Sequence, residues 1–193
     1  MRERILHCAA SIIAERGLTG TKLSAIAAMA NLQTGSLYYH FADRAALVEE
    51  VTRRGVLDSL NAAQKAVETC SAEATSKDRL LAAADAHLGS ILESGSLAPA
   101  AIAILPQLPP ELRQRFQQEL GDFRLFWVGL VTAAVADGYL AGEIDVELLA
   151  LYIVYTLNTV TVWTELRPGE PKETRSAFLA LLQHGILRSP ERG

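Results

Sequence analysis

Two cysteines and four histidines in 193 residues leave little material for a disulfide framework or a metal centre. Cys8 shares an apolar stripe with Ile5 and Ile12, Cys70 stands near a linker, and the histidines show no pair at ligand spacing. Reduced structural thiols are expected, with no metal and no other cofactor. Also missing are a Gly-rich phosphate loop behind a strand and any Ser, His and Asp grouping that spacing alone would tie into a nucleophile and its base, so an enzyme finds no support. Arg2, Glu3 and Arg4 lead straight into an amphipathic segment rather than a signal peptide's apolar run, which places the chain in the cytoplasm as an expectation. The one long apolar run, residues 146–163, is interrupted by Glu147, Asn158 and several threonines and has no basic flanks, which argues against a membrane span.

What remains is helical. Half of the residues are hydrophobic and about a fifth are charged, and the apolar positions recur every three to four residues with no alternating strand pattern and no internal repeat. Helices are expected at about 2–16, across 21–41 as two short pieces, from 44 into the sixties, and at about 77–94, 97–105, 110–137, 145–166 and 172–187. Gly95, Pro106 with Pro109-Pro110, Gly138 with Gly142, and Pro168-Gly169 separate the later ones. Gly17 suits a left-handed cap closing the first helix, Thr19 or Thr21 is a candidate N-cap for the second, and Asp43 for the fourth. Gly55 inside the fourth helix reads better as a close-packing position than as a hinge. The fold class is all-α, with a small domain over 1–47 and a larger one over 48–193, linked by the helix from about 44 to 67.

Residues 21–47 carry the most chemistry. In LSAIAAMA, Leu23, Ile26, Ala27 and Ala30 form one face of a helix too short to stand alone. Asn31, which tolerates the left-handed backbone of a tight turn, interrupts it, and Leu32 plugs the core beneath. Next, TGSLYYHF places Leu37 and Phe41 on one face and leaves Thr34, Ser36, Tyr38, Tyr39 and His40 to supply hydroxyls and an imidazole elsewhere. This is the composition of a recognition helix, whose first residues meet base edges and phosphates in the major groove. Charge agrees: residues 1–56 hold seven Lys/Arg against five Asp/Glu, or +2, leaving eleven against seventeen, or −6, for the remainder.

With Ile5, Ala9, Ala10, Gly17, Thr21, Ile26-Ala27, Ala30, Gly35, Leu37-Tyr38-Tyr39-His40-Phe41, Arg44 and Leu47 at matching spacing, the chain resembles the TetR family of bacterial transcriptional regulators. That resemblance implies DNA contacts from Lys22, Gln33, Thr34, Gly35, Ser36, Tyr38, Tyr39, His40 and Arg44. Lys22, Asn31 and Gln33 depart from the family's usual residues, which bears on operator sequence more than on activity, since Lys22 still reaches a phosphate and Gln33 suits an adenine edge. The resemblance also implies a homodimer built on the last two long helices, with Leu148, Val160, Phe178, Leu179, Leu182 and Ile186 at the interface.

A small-molecule effector is the last expectation. Tyr152, Tyr155, Asn158, Thr159 and Trp163, with His87, Phe123 and Trp127 from neighbouring helices, combine aromatic surface with a few hydrogen-bonding groups, as a mostly apolar ligand site does, although aromatics at helical spacing are more often core. Leu157-Asn158 followed by Trp163, with Gly185-Ile186-Leu187 near the end, looks similar to family members that sense acyl-coenzyme A or other lipid-like metabolites. The function expected is a repressor that binds a near-palindromic double-stranded operator as a homodimer and is released by an apolar metabolite. The alternative is an architectural DNA-binding protein of the same fold without an inducer.

Overall fold

The computed structural model describes residues 1–93, 95–166 and 169–186. Among them there is no strand, and the chain divides into two compact units, one of Met1–Asp58 with Glu93–Glu119 and the other of Ser59–Leu92 with Leu120–Gly193.

In the first unit, α1 (Arg2–Gly20) turns sharply at Gly17, whose φ of 69° is positive as foreseen but whose ψ of 173° is extended, so it makes a kink rather than a left-handed cap. Thr21 and Thr19 do not cap the next helix. Thr21 is buried and its Oγ1 donates to the Gly17 carbonyl at 2.8 Å, closing the end of α1, while Lys22 takes the N-cap position of α2 (Leu23–Met29) with no side-chain bond. The turn into α3 (Thr34–Tyr38) is a complete Schellman motif: Leu32 N–H donates to Ala27 O at 2.8 Å, Asn31 N–H to Ala28 O at 3.0 Å, and Asn31 takes φ 53°. Ile26, Ala27, Ala30, Leu37, Phe41, Leu47 and Val51 join Ile5, Leu6, Ala9 and Ile13 in one core. Each fully enclosed Leu, Ile or Phe contributes on the order of 1.5–3 kcal/mol, which a five-residue helix has no other means of obtaining.

Asp43 caps α4 (Arg44–Glu68), its Oδ1 accepting Ala46 N–H at 2.7 Å. Gly55 is a packing position, because a Cβ there would lie 2.6 Å from Leu97 O and 2.7 Å from Ala101 Cβ. Beyond α5 (Ser76–Leu92), α6 (Ala98–Ile104) packs on α1, and His7 Nδ1 donates to Gly95 O at 2.8 Å. The single helix expected over 110–137 is instead a one-turn α7 (Pro110–Arg113), a 3-10 turn over Gln114–Phe116, and α8 (Gln117–Ala136). Arg53 stacks over the Phe116 ring, 5.4 Å from its centroid, and pairs with Glu119 at 2.6 Å.

The second unit is organised around α5. There α9 (Val146–Asn158) and α10 (Val160–Leu166) meet at Thr159, which keeps helical backbone, donates its N–H to Tyr155 O at 3.2 Å and accepts Trp163 N–H at 3.1 Å, so the helix expected over 145–166 runs on with only a local distortion. Asp145 caps α9 by accepting Leu148 N–H at 2.9 Å. The last helix, α11 (Pro171–Leu181), starts with proline at its first position, passes into a π-turn over Leu182–Ile186, and is held to α5 by a bidentate Arg175–Asp85 pair. The punctuation placed at Pro168, the side chain of Ile186 and Leu187 lie outside the described residues.

Candidate functional site

Because α2 and α3 bury only their apolar faces, everything else on the turn is turned outward. Lys22, Gln33, Thr34, Gly35, Ser36, Tyr38 and Tyr39 are exposed and His40 is half-buried. None of the polar side chains in this set makes a hydrogen bond or ion pair with the described residues, so their donors and acceptors are available to a partner. Tyr39 is 89% exposed, an arrangement the core gives no reason for. Its ring meets His40 edge-on at 5.4 Å. Gly35 points the same way: a Cβ there would meet nothing within 4 Å, so no packing inside the protein calls for glycine on the exposed side of a helix.

Arg44 behaves differently from the rest of this set. Its Nη2 donates to the Leu18 carbonyl, pinning the start of α4 to the end of α1, and its Nε is enclosed with no partner among the described residues. It is half-buried, whereas Lys22 is open.

The residues expected to bind a small molecule separate into two groups within the second unit. His87, Phe123, Trp127 and Asn158 cluster: His87 Nε2 donates to Asn158 Oδ1 at 2.9 Å, and the His87 ring lies 5.6 Å from Trp127 and 5.8 Å from Phe123. His87 and Trp127 are buried, yet His87 Nδ1 and Trp127 Nε1 have no partner among the described residues. Burial pushes the His87 imidazole down to about 4, against the smaller opposing effect of its bond to Asn158, so it is neutral at pH 7. The cluster therefore holds one unmatched acceptor and one unmatched donor in apolar surroundings, and buried polar groups of this kind call for a water or a ligand atom.

Tyr152, Tyr155, Thr159 and Trp163 do not join it. They are exposed, with Tyr155 66% open, because the α9–α10 register turns Ile153, Val154, Leu157 and Val160 into the core instead. With Leu148, Leu151, Val162, Leu166 and Leu181 they give this unit an apolar outer surface. Of the expected interface residues, Leu148 lies on it and Leu179 is half-buried. Val160 is fully enclosed in its own protomer and leaves the list of residues able to touch a partner, while Phe178 and Leu182 line the floor between α9 and α11. Sequence reading passed over Leu151, Val162, Leu166 and Leu181. The signal was a spacing of three or four residues from Leu148 onward, once the inward-facing positions are set aside.

Comparison with known proteins agrees with this arrangement. Residues 5–51 match "Bacterial regulatory proteins, tetR family", and residues 73–185 match "Tetracyclin repressor-like, C-terminal domain". The chain is 31% identical over 173 residues to the HTH-type transcriptional repressor KstR2 of Rhodococcus jostii, covering 87% of this chain and 80% of that protein. It is 25% identical over 161 residues to the fatty acid metabolism regulator protein of Bacillus subtilis, covering 83% and 81%. The structure of the ketosteroid transcriptional regulator KstR2 of Mycobacterium tuberculosis superposes with a TM-score of 0.76 at 25% identity, over 97% of this chain and 95% of that one. With its exposed recognition helix, its all-α second unit and both family descriptions matched, this chain belongs to the TetR family of bacterial transcriptional regulators.

Proposed function

We propose that the protein is a ligand-responsive transcriptional repressor that occupies a near-palindromic operator as a homodimer. The observation that carries the DNA reading is the row of exposed, internally unpartnered groups on the turn and recognition helix, from Lys22 to Tyr39, around a glycine that the fold does not require. Two such helices about one helical turn apart, ~34 Å, would enter successive major grooves and exclude polymerase. The second copy is supported by the apolar outer surface of α9, α10 and α11, since an exposed patch of this kind marks an interaction surface. Arg124 pairs with Glu147 at 3.0 Å beside it, a charged flank that suits a protein partner better than lipid.

The effector reading rests on His87 Nδ1 and Trp127 Nε1, buried and unmatched. By analogy with relatives named for ketosteroid and fatty acid regulation, the effector is an apolar metabolite with one or two polar atoms, of the acyl thioester or steroid class. It must bind the DNA-incompetent state more tightly, by about 5.5 kcal/mol to move the population from nearly all competent to nearly all incompetent.

An operator selected from random DNA provides the test. Stearoyl-coenzyme A or a ketosteroid thioester should release the protein from that operator, and operator should weaken the ligand by the same factor. A protein that binds specifically but answers to no acyl thioester, fatty acid or steroid would be architectural. Lys22→Ala should weaken binding to all sequences alike and flatten the plot of log affinity against log salt by about one unit per lost contact, roughly two for a dimer. An unchanged slope would remove Lys22 from the interface.

A further inference from the structure

A cavity of about 370 Å³ lies in the first unit and shares no residue with the His87 cluster. The end of α1, the first turns of α4 and the α7 segment border this partly open cavity, and Val48, Leu108, Leu112 and Phe116 supply apolar walls. Four charged side chains border it, and three are already engaged. Asp43 caps α4. Glu49 accepts from Arg53 at 3.2 Å and from Arg115 at 3.0 Å, which also occupies Arg115. Arg44 is the exception. One of its amino groups goes to a neutral acceptor, the Leu18 carbonyl, its enclosed Nε has no partner, and no carboxylate pairs with it among the described residues. An apolar cavity with one uncompensated guanidinium in its wall is the complement of an amphipathic anion.

We propose that this cavity is a second ligand site, which takes a small amphipathic carboxylate with its head group on Arg44 and its aliphatic body against Val48, Leu112 and Phe116. Its volume is near the low end of the ~300–1,000 Å³ spanned by small-molecule sites, which suits a medium-chain acid and is too small for a whole coenzyme A thioester. Only Tyr39 to Asp43 separate α3 from the helix that forms one wall. A ligand here acts on the connection that sets the recognition helix, independently of the effector proposed for the second unit.

The test uses the full chain with methyl-labelled Leu and Val, titrated with sodium decanoate and with decanol. Decanoate should shift the Val48 and Leu112 methyl signals saturably and bind about tenfold more tightly than decanol, the difference a charge-assisted hydrogen bond supports. Arg44→Gln should bring the two probes to equal affinity. Leu112→Trp, which fills the cavity from α7, should abolish decanoate binding with helicity retained, and Leu108→Phe serves the same purpose if that variant does not fold. Equal affinity for decanoate and decanol in the unaltered protein would overturn the proposal. So would shifts confined to residues 59–92 and 120–186, decanoate binding that survives in a folded cavity-filled variant, or no binding. Release from operator by an acyl thioester should persist in Leu112→Trp, so loss of this site and loss of the effector reading are separable.

Discussion

The α2–α3 turn and the outer surface of α9–α11 both leave large side chains in water, but with opposite chemistry. Around the turn most exposed groups are polar and have no partner among the described residues, with Met29 the large apolar exception, and even exposed Tyr38 and Tyr39 carry a hydroxyl. On α9–α11 the exposed set is dominated by Leu148, Leu151, Val162, Leu166 and Leu181. A surface of the first kind is stable as a monomer and gains from a partner rich in acceptors and charge. One of the second kind loses roughly 25 cal/mol for each Å² of apolar area left in water and gains from being covered. On the proposed reading the difference separates a specific contact from a lasting one: hydrogen-bonding groups would read a sequence, while apolar area would hold two copies together.

The strongest way to break this comparison is to put a charge on the apolar surface. Tyr155→Glu places a carboxylate at a position 66% exposed in the protomer, where an isolated subunit tolerates it. In a dimer it would be buried without a partner, at a cost of several kcal/mol. Sedimentation should then show a folded monomer with unchanged helicity and no measurable operator binding. A dimer of normal strength would place the interface elsewhere.

Next in size is a pH effect in the buried interior, which neither surface should show. The folded pKa of His87 is about 4, against an ordinary value of 6.5 in the unfolded chain. The unfolded state therefore takes up a proton that the folded state refuses. Stability from this group is complete above pH 6.5 and is lost as pH falls toward 4, by about 3 kcal/mol over the interval. Chemical denaturation at pH 7 and at pH 4.5 should show the loss in the native protein and much less of it in His87→Leu. Equal slopes in the two proteins would mean that His87 is solvated.

The same contrast explains which parts of the molecule were legible in its sequence. Asn31, Gly17 and Asp43 act through geometry within a few residues, so a turn with positive φ or a cap could be placed from residue type alone. Thr21 failed as a cap because it stands one residue before the N-cap position, which Lys22 occupies, and its side chain is turned back to the Gly17 carbonyl. The apolar helices were found, but the destination of each face was not. Val160 and Val162 are alike in chemistry, yet one is enclosed and the other half open, and only the rotation of α10 decides it. Tyr152 and His87 were assigned to one site for the same reason. Aromatic character is common to core, pocket and interface, and the bond from His87 to Asn158, 71 positions apart, leaves no local trace.

On the polar side, Thr34→Ala and Ser36→Ala should change base preference. Each is expected to cost roughly 1–3 kcal/mol on the selected operator and little on random DNA, with no change in melting temperature, since neither hydroxyl bonds to any of the described residues. Equal losses on both DNAs would make them positioning contacts to the backbone.

The smallest and most discriminating change is Gly35→Ala. In a helix, replacing Gly with Ala stabilises by about 0.5–1 kcal/mol, and here the added methyl meets no atom within 4 Å. Judged by the fold alone, the variant should be as stable as the parent or slightly more so, with a melting temperature unchanged or raised. Judged by the proposed interface, the methyl projects from the exposed side of the recognition helix toward the space a DNA strand would occupy, and affinity should fall although the protein is better folded. The two readouts should therefore move in opposite directions, which no packing defect can produce. If stability and operator affinity rise together, the glycine is a relic of no consequence for DNA, and the recognition helix does not approach the duplex through Gly35.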